Sequence, residues 1–206
     1  MTRTFIALET NQDLQRHLSG VIRQVARVFP AVRWVDPVTI HLTLAFLGEL
    51  SDAQLIEAEQ AATQAVQEVR PFQYRLTHFG IFGSPRSPRV IWMGIEEPAG
   101  ALTALHRALQ KELLSRGFQI DTRPFSPHLT LARVKHPLST HEQQQLQRIL
   151  SKEQANTFAS SFYTAYALDV MKSELSSTGA RYTLLRKYVF PDGIGSTGMR
   201  VNLTEF

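Results

Sequence analysis

This sequence predicts an α+β fold of two similar lobes, and three observations carry the prediction. The segment His41-Leu42-Thr43-Leu44-Ala45 returns letter for letter as His128-Leu129-Thr130-Leu131-Ala132, 87 residues later. A self-match of that length in a chain of 206 residues is the mark of an internal duplication. The first half reads strand, helix, strand, helix, strand, strand, and the second half repeats that pattern in outline. Alternating segments joined by turn residues add antiparallel hairpins to the helices.

Thr4-Phe5-Ile6-Ala7-Leu8 is a short apolar run and reads as the first strand. Asn11 suits a helix N-cap, and Leu14, Leu18, Ile22, Val25 and Val28 keep helical spacing until Pro30 closes the helix. Arg33-Trp34-Val35 leads through the turn signal Asp36-Pro37 into the first copy of the repeat, which stops at Gly48. Ser51 or Asp52 can cap the next helix, whose Leu55, Ala58, Ala62, Ala65 and Val66 share one face before Pro71 ends it. Phe72, Tyr74, Leu76 and His78 then alternate with Gln73, Arg75 and Thr77 in a strand. Gly80 to Pro88 is punctuated too heavily to be regular throughout, and Arg89 to Ile95 follows as a hairpin partner.

Leu102, Leu105, Leu109 and Leu113 mark a third helix with Gly117 as its C-cap, and Arg123-Pro124-Phe125-Ser126-Pro127 feeds the second copy of the repeat. A helix from Thr140 to Leu150, with Leu146, Ile149 and Leu150 inward, precedes two alternating segments. These are Phe158 to Leu175 and Arg181 to Phe190, separated by the turn Ser176-Ser177-Thr178-Gly179. Residues 1–190 are therefore expected to form a single two-lobed domain, and 191–206, without periodicity, an extended tail.

A hydrophobic content of 43% with 19% charged residues is that of a soluble globular chain able to bury a core. No cysteine is present, which excludes disulfides, thiolate metal sites and a cysteine nucleophile. There is no apolar run long enough for a membrane span and no signal-peptide core, so a cytoplasmic protein without a membrane partner is expected. The net charge of +4 is compatible with a polyanionic partner yet falls short of the dense basic stripe of a dedicated nucleic-acid binder.

Strand alternation puts His41, Thr43 and Ala45 on one face and Leu42, Leu44 and Phe46 on the other, with the same division in the second copy. A single histidine on a strand is more often structural than catalytic. A good half-buried strand sequence reused after duplication would explain the leucines, but it does not call for the retained histidine and threonine. Two imidazoles titrating near neutrality can act as an acid and base pair, and hydrolysis of a cyclic phosphodiester needs that pair. One deprotonates water, the other protonates the departing sugar oxygen, and the threonine hydroxyls can donate to the nonbridging phosphate oxygens. Neither motif brings the third ligand that a zinc site requires, so no metal or other cofactor is expected.

The tetrads His41 to Leu44 and His128 to Leu131 resemble those of the 2H phosphoesterase superfamily. The longer words His41-Leu42-Thr43-Leu44-Ala45-Phe46-Leu47-Gly48 and Pro127-His128-Leu129-Thr130-Leu131-Ala132-Arg133 are similar to its bacterial and archaeal branch, RNA 2′,3′-cyclic phosphodiesterase, also called 2′-5′ RNA ligase. Phe5-Ile6-Ala7-Leu8, Arg89 to Gly94 and Arg181-Tyr182-Thr183-Leu184 fit the same branch.

The resemblance implies a bilobal fold, with antiparallel sheets from two pseudo-symmetric lobes lining a central cleft and helices outside. It implies metal-independent hydrolysis of RNA 2′,3′-cyclic phosphate ends to 2′-phosphomonoesters. In that scheme His41 is the proton donor to the leaving 3′ oxygen, His128 the acceptor that activates water, and Thr43 and Thr130 hold the phosphate. Arg133 fits the basic residue usual after the second tetrad, although strict alternation points it away from His128. The expected partner is RNA or a nucleotide with a 2′,3′-cyclic phosphate end, and the expected state is a monomer. The alternatives are 2′-5′ end joining, which is the reverse reaction, and a non-catalytic module that binds RNA ends. His17, His106 and His141 fall in helices and are expected to face solvent, while His78 and His136 have no repeated partner. Arg86 and Arg89 could line the cleft mouth, and Phe5, Trp34 or Phe82 could stack on a base.

Overall fold

The computed structural model describes residues 1–30, 32–151, 162–176 and 179–191. Nine strands and four helices are set among them. In chain order they are β1 (Thr2–Glu9), α1 (Gln12–Ala26), β2 (Arg33–Trp34), β3 (His41–Leu50), α2 (Asp52–Val66), β4 (Phe72–Ser84), β5 (Ser87–Glu96), α3 (Ala101–Ser115), β6 (His128–Arg133), α4 (Thr140–Ile149), β7 (Tyr163–Ala165), β8 (Ala167–Ser176) and β9 (Gly179–Val189). They form two antiparallel sheets, one ordered β3-β1-β8-β9 and the other β2-β6-β5-β4-β7. The tail residues 192–206, the turn residues 177 and 178, and 158–161 of the expected alternating segment lie outside the described residues.

The repeated unit is β1-α1-β3-α2, which recurs as β5-α3-β6-α4 at the 87-residue offset of the motif itself. In space, β3-β1-β8-β9 of one sheet corresponds to β6-β5-β4-β7 of the other. The phase therefore differs from the expected six-element half. The β4–β5 hairpin belongs to the second sheet, and the late β8–β9 hairpin completes the first beside β1 and β3. The expected strand ending at Leu175 is divided for the same reason. Tyr163–Ala165 pairs with β4, Ala167–Ser176 pairs with β1, and the exposed Tyr166 carries the chain from one sheet to the other.

Local chemistry sets the helix ends. The Asn11 side chain accepts from the Leu14 N–H at 2.9 Å, and Ser51 with Gln54 and Ser139 with Glu142 form capping boxes. Gly117, at φ +80°, lets the chain turn after α3 so that the Phe118 N–H can reach the Leu113 carbonyl. Helix α2 turns Ala58, Ala61, Ala62 and Ala65 inward, lying against β1, β3, β8 and β9 with α3 alongside. Ile6, Leu8, Leu42, Leu44, Leu168 and Val170 are the sheet's side of that core.

The punctuated segment is extended on both sides of the Pro85-Arg86 turn and irregular at that turn and at a register shift beside Gly83, whose φ is +105°. Gly80 is there for close approach, because a Cβ at that position would stand 2.1 Å from the Trp92 ring. His106 is buried rather than solvent-facing, its ring stacked on Phe125 at 3.8 Å, and His17 is half-buried with its ring against Tyr163. His141 is exposed. Among the described residues no helix is long and apolar enough to cross a membrane.

Candidate active site

Each motif strand carries a bulge at the same place. Across β1 and β3, Ala7 pairs with Thr43 but Ile6 pairs with Ala45, so Leu44 is the extra residue. Across β5 and β6, Trp92 pairs with Thr130 but Ile91 pairs with Ala132, so Leu131 is the extra residue. An inserted residue reverses side-chain parity beyond it. Ala45 and Ala132 therefore join the core instead of the histidine face, and Phe46, 52% exposed, leaves it. Arg133 swings the same way onto the face of His128 and Thr130, which strict alternation denied it.

Strands β3 and β6 are not hydrogen-bonded to each other, yet they run within 8 Å at the Cα level. His41 Nδ1 lies 2.9 Å from the Thr39 carbonyl and His128 Nδ1 lies 2.7 Å from the Ser126 carbonyl, two residues upstream in each case. A carbonyl can only accept, so each neutral ring carries its proton on Nδ1 and leaves Nε2 for chemistry. Aromatic rings hold both imidazoles. Phe5, 3% exposed, stacks on His41 at 4.6 Å with the Tyr182 ring at 4.9 Å, while Phe82 and Trp92 lie 4.9 and 5.8 Å from His128. Burial depresses the His41 pKa, the Thr39 hydrogen bond opposes that, and the Arg133 charge depresses it further. The Thr43 and Thr130 hydroxyls are engaged by no other described residue.

The faces around the tetrads differ between lobes. In the first, Arg3 sits over the Phe46 ring at 4.8 Å, and Asp169 lies 3% exposed beside Lys187, which binds Glu9. Burial pushes the Asp169 carboxyl up to about 6, with the nearby Lys187 acting against the rise. In the second lobe Trp92 lies over Gly80, and Phe82 keeps 38% of its surface exposed. Of the aromatics suggested for a base, Phe5 is buried, Trp34 packs on the core, and Phe82 keeps an open surface. Among the described residues no three His, Asp or Glu side chains gather as a metal ion would need.

A family model described as the 2′-5′ RNA ligase superfamily matches residues 9–172, a span that takes in both tetrads. The chain belongs to that superfamily. It is 29% identical over 181 residues to the RNA 2′,3′-cyclic phosphodiesterase of Methanothermobacter thermautotrophicus, covering 88% of this chain and 95% of the relative. TT0787 of Thermus thermophilus has the same fold with a TM-score of 0.73 at 26% identity, covering 93% of this chain and 99% of that one. Escherichia coli LigT complexed with 3′-AMP matches with a TM-score of 0.67 at 26% identity, over 92% and 98% of the two chains.

In this superfamily member the two tetrads lie on strands that do not share a sheet. Sequence alone brings out the histidines and threonines because they are repeated. It misses Phe46, Asp169, Tyr182 and Arg33, which are not, and only the strand register reveals their faces.

Proposed function

We propose that this enzyme hydrolyses RNA 2′,3′-cyclic phosphate ends to 2′-phosphomonoesters without a metal, using two histidines as acid and base. The matched clasp of the two rings supports the reading best. Two adjacent strands each offer an imidazole whose Nδ1 is committed and whose Nε2 has no partner among the described residues. The name of the Methanothermobacter relative agrees with it.

In this scheme a water oxygen bonds to phosphorus while its proton passes to His128 Nε2. The bond from phosphorus to the 3′ oxygen breaks, and that oxygen takes a proton from His41 Nε2. Thr43 and Thr130 donate to the nonbridging oxygens, and Arg133 offsets the charge that builds on them. His41 has a depressed pKa in the free protein, and the bound phosphate anion favours its imidazolium. The acting unit is one domain over residues 1–190, working as a monomer.

The test is turnover of a cyclic-ended RNA in excess chelator. A 2′-phosphate product from wild type, lost in His41→Ala and in His128→Ala, is expected; activity that returns only with added metal would refute the scheme. A substrate with sulfur in place of the 3′ oxygen separates the roles, since a thiolate leaves without a proton. It should restore His41→Ala far more than His128→Ala. End joining through a 2′-5′ linkage uses the same groups in the same direction, with a 5′-hydroxyl in place of water bonding to phosphorus as the 3′ oxygen leaves, and abundant water favours hydrolysis. Offering a 5′-hydroxyl RNA end in the assay measures the ratio, and tight binding without any product would mark a binding module instead.

A further inference from the structure

Arg33 and Arg133 are direct partners across the β2–β6 ladder, so two guanidinium side chains leave neighbouring strands at one level. Like charges placed opposite each other on paired strands cost stability. Both side chains are exposed, and neither has an ion-pair partner among the described residues. Asp36, the acid nearest to Arg33 in sequence, is committed to the Val38 N–H at 3.2 Å. The pair is fixed in place. Trp34 packs on the core beside Phe29, and the Val35 N–H continues the ladder to the Leu131 carbonyl at 2.8 Å.

Register sets which way the pair faces. Trp34 opposes the buried Ala132, so Arg33 shares the face of Arg133, turned there by the Leu131 bulge. Arg33 stands one interstrand spacing, roughly 4.8 Å, beyond Arg133 and away from β5. Two unpaired cations in a row, with the inner one just past the phosphate-holding tetrad, suit an anion that repeats along a chain.

We propose that Arg33 is a subsite for the phosphate next to the scissile one, so that the enzyme prefers the end of an RNA polymer to a cyclic mononucleotide. This rests on the hydrolase reading above and adds the substrate class. The experiment compares wild type with Arg33→Gln on a 2′,3′-cyclic mononucleotide and on a short RNA with a 2′,3′-cyclic end. The ratio of the two kcat/KM values should shift about tenfold in favour of the mononucleotide, mainly through the KM of the RNA, and the salt dependence of that KM should become shallower by about one phosphate contact. Arg33→Lys should keep most of the salt dependence. Equal losses on both substrates would mean that the two arginines share the scissile phosphate, and no loss on either would mean that Arg33 meets no phosphate; each result overturns the subsite. Fluorescence anisotropy with a labelled RNA ending in a 2′-phosphate decides the matter without turnover. If wild type cleaves neither substrate, the hydrolase reading fails, while a weaker grip by Arg33→Gln at low salt that vanishes at high salt still supports the subsite.

Discussion

The charge of Arg133 reaches His41 across the two lobes, and with burial it disfavours the imidazolium. Removing that charge in Arg133→Met should raise the His41 pKa and leave its titration further to the alkaline side, which ring-proton NMR resolves. An unmoved His41 titration would show that burial and the Thr39 hydrogen bond set its value without Arg133. Asp169 works in the opposite sense. Its carboxyl keeps a proton up to about pH 6 in the folded chain but loses it near 3.8 when unfolded. Stability therefore falls as pH rises between those values, by roughly 3 kcal/mol at about 1.4 kcal/mol per unit, and the loss persists above them. Asp169→Asn, uncharged at every pH, should be nearly neutral near pH 4 and stabilising at pH 7 to 8 in urea titrations. Asp169 could not be read from the chain alone, because it occurs in no repeat, whereas Arg133 is named by its place after the second tetrad and only its face, which depends on a bulge, was hidden.

Among the elements, the strands and helices were legible where periodicity or capping chemistry was strong. Asn11, Ser51 and Gly117 sit where their residue types suggest, and α4 ends within a residue of the expected boundary. Alternation failed at Leu44 and Leu131, where a bulge adds a residue with no compositional mark, and the faces of Ala45, Phe46, Ala132 and Arg133 changed with it. Gly80 misled in another way, since it makes room for an indole inside a strand and not for a bend between strands. Gly80→Ala should force the Trp92 indole away from the β4 backbone and so from its place beside His128. Overpacking of this kind costs about 1–3 kcal/mol. A lower melting temperature together with a loss of kcat is expected, and a variant with unchanged melting and turnover would show that the indole has room to move.

At the scale of the whole molecule, the repeat of elements was legible but its partition was not, because sequence order does not reveal which hairpin closes which sheet. The first sheet takes β1 and β3 from the start of the chain and β8 and β9 from its far end, while β4, β5 and β6 between them build most of the second. Neither lobe is a continuous stretch, so neither should unfold alone. Both tryptophans, Trp34 and Trp92, belong to the second sheet, whereas far-UV circular dichroism reports on all elements. Denaturant midpoints from tryptophan fluorescence and from circular dichroism should therefore coincide. Separate midpoints would show lobes that melt independently. The same interleaving bears on biosynthesis. Strand β1 waits for a hairpin that ends at Val189, so a nascent chain on the ribosome has no finished first sheet until all of β2 to β9 has been made.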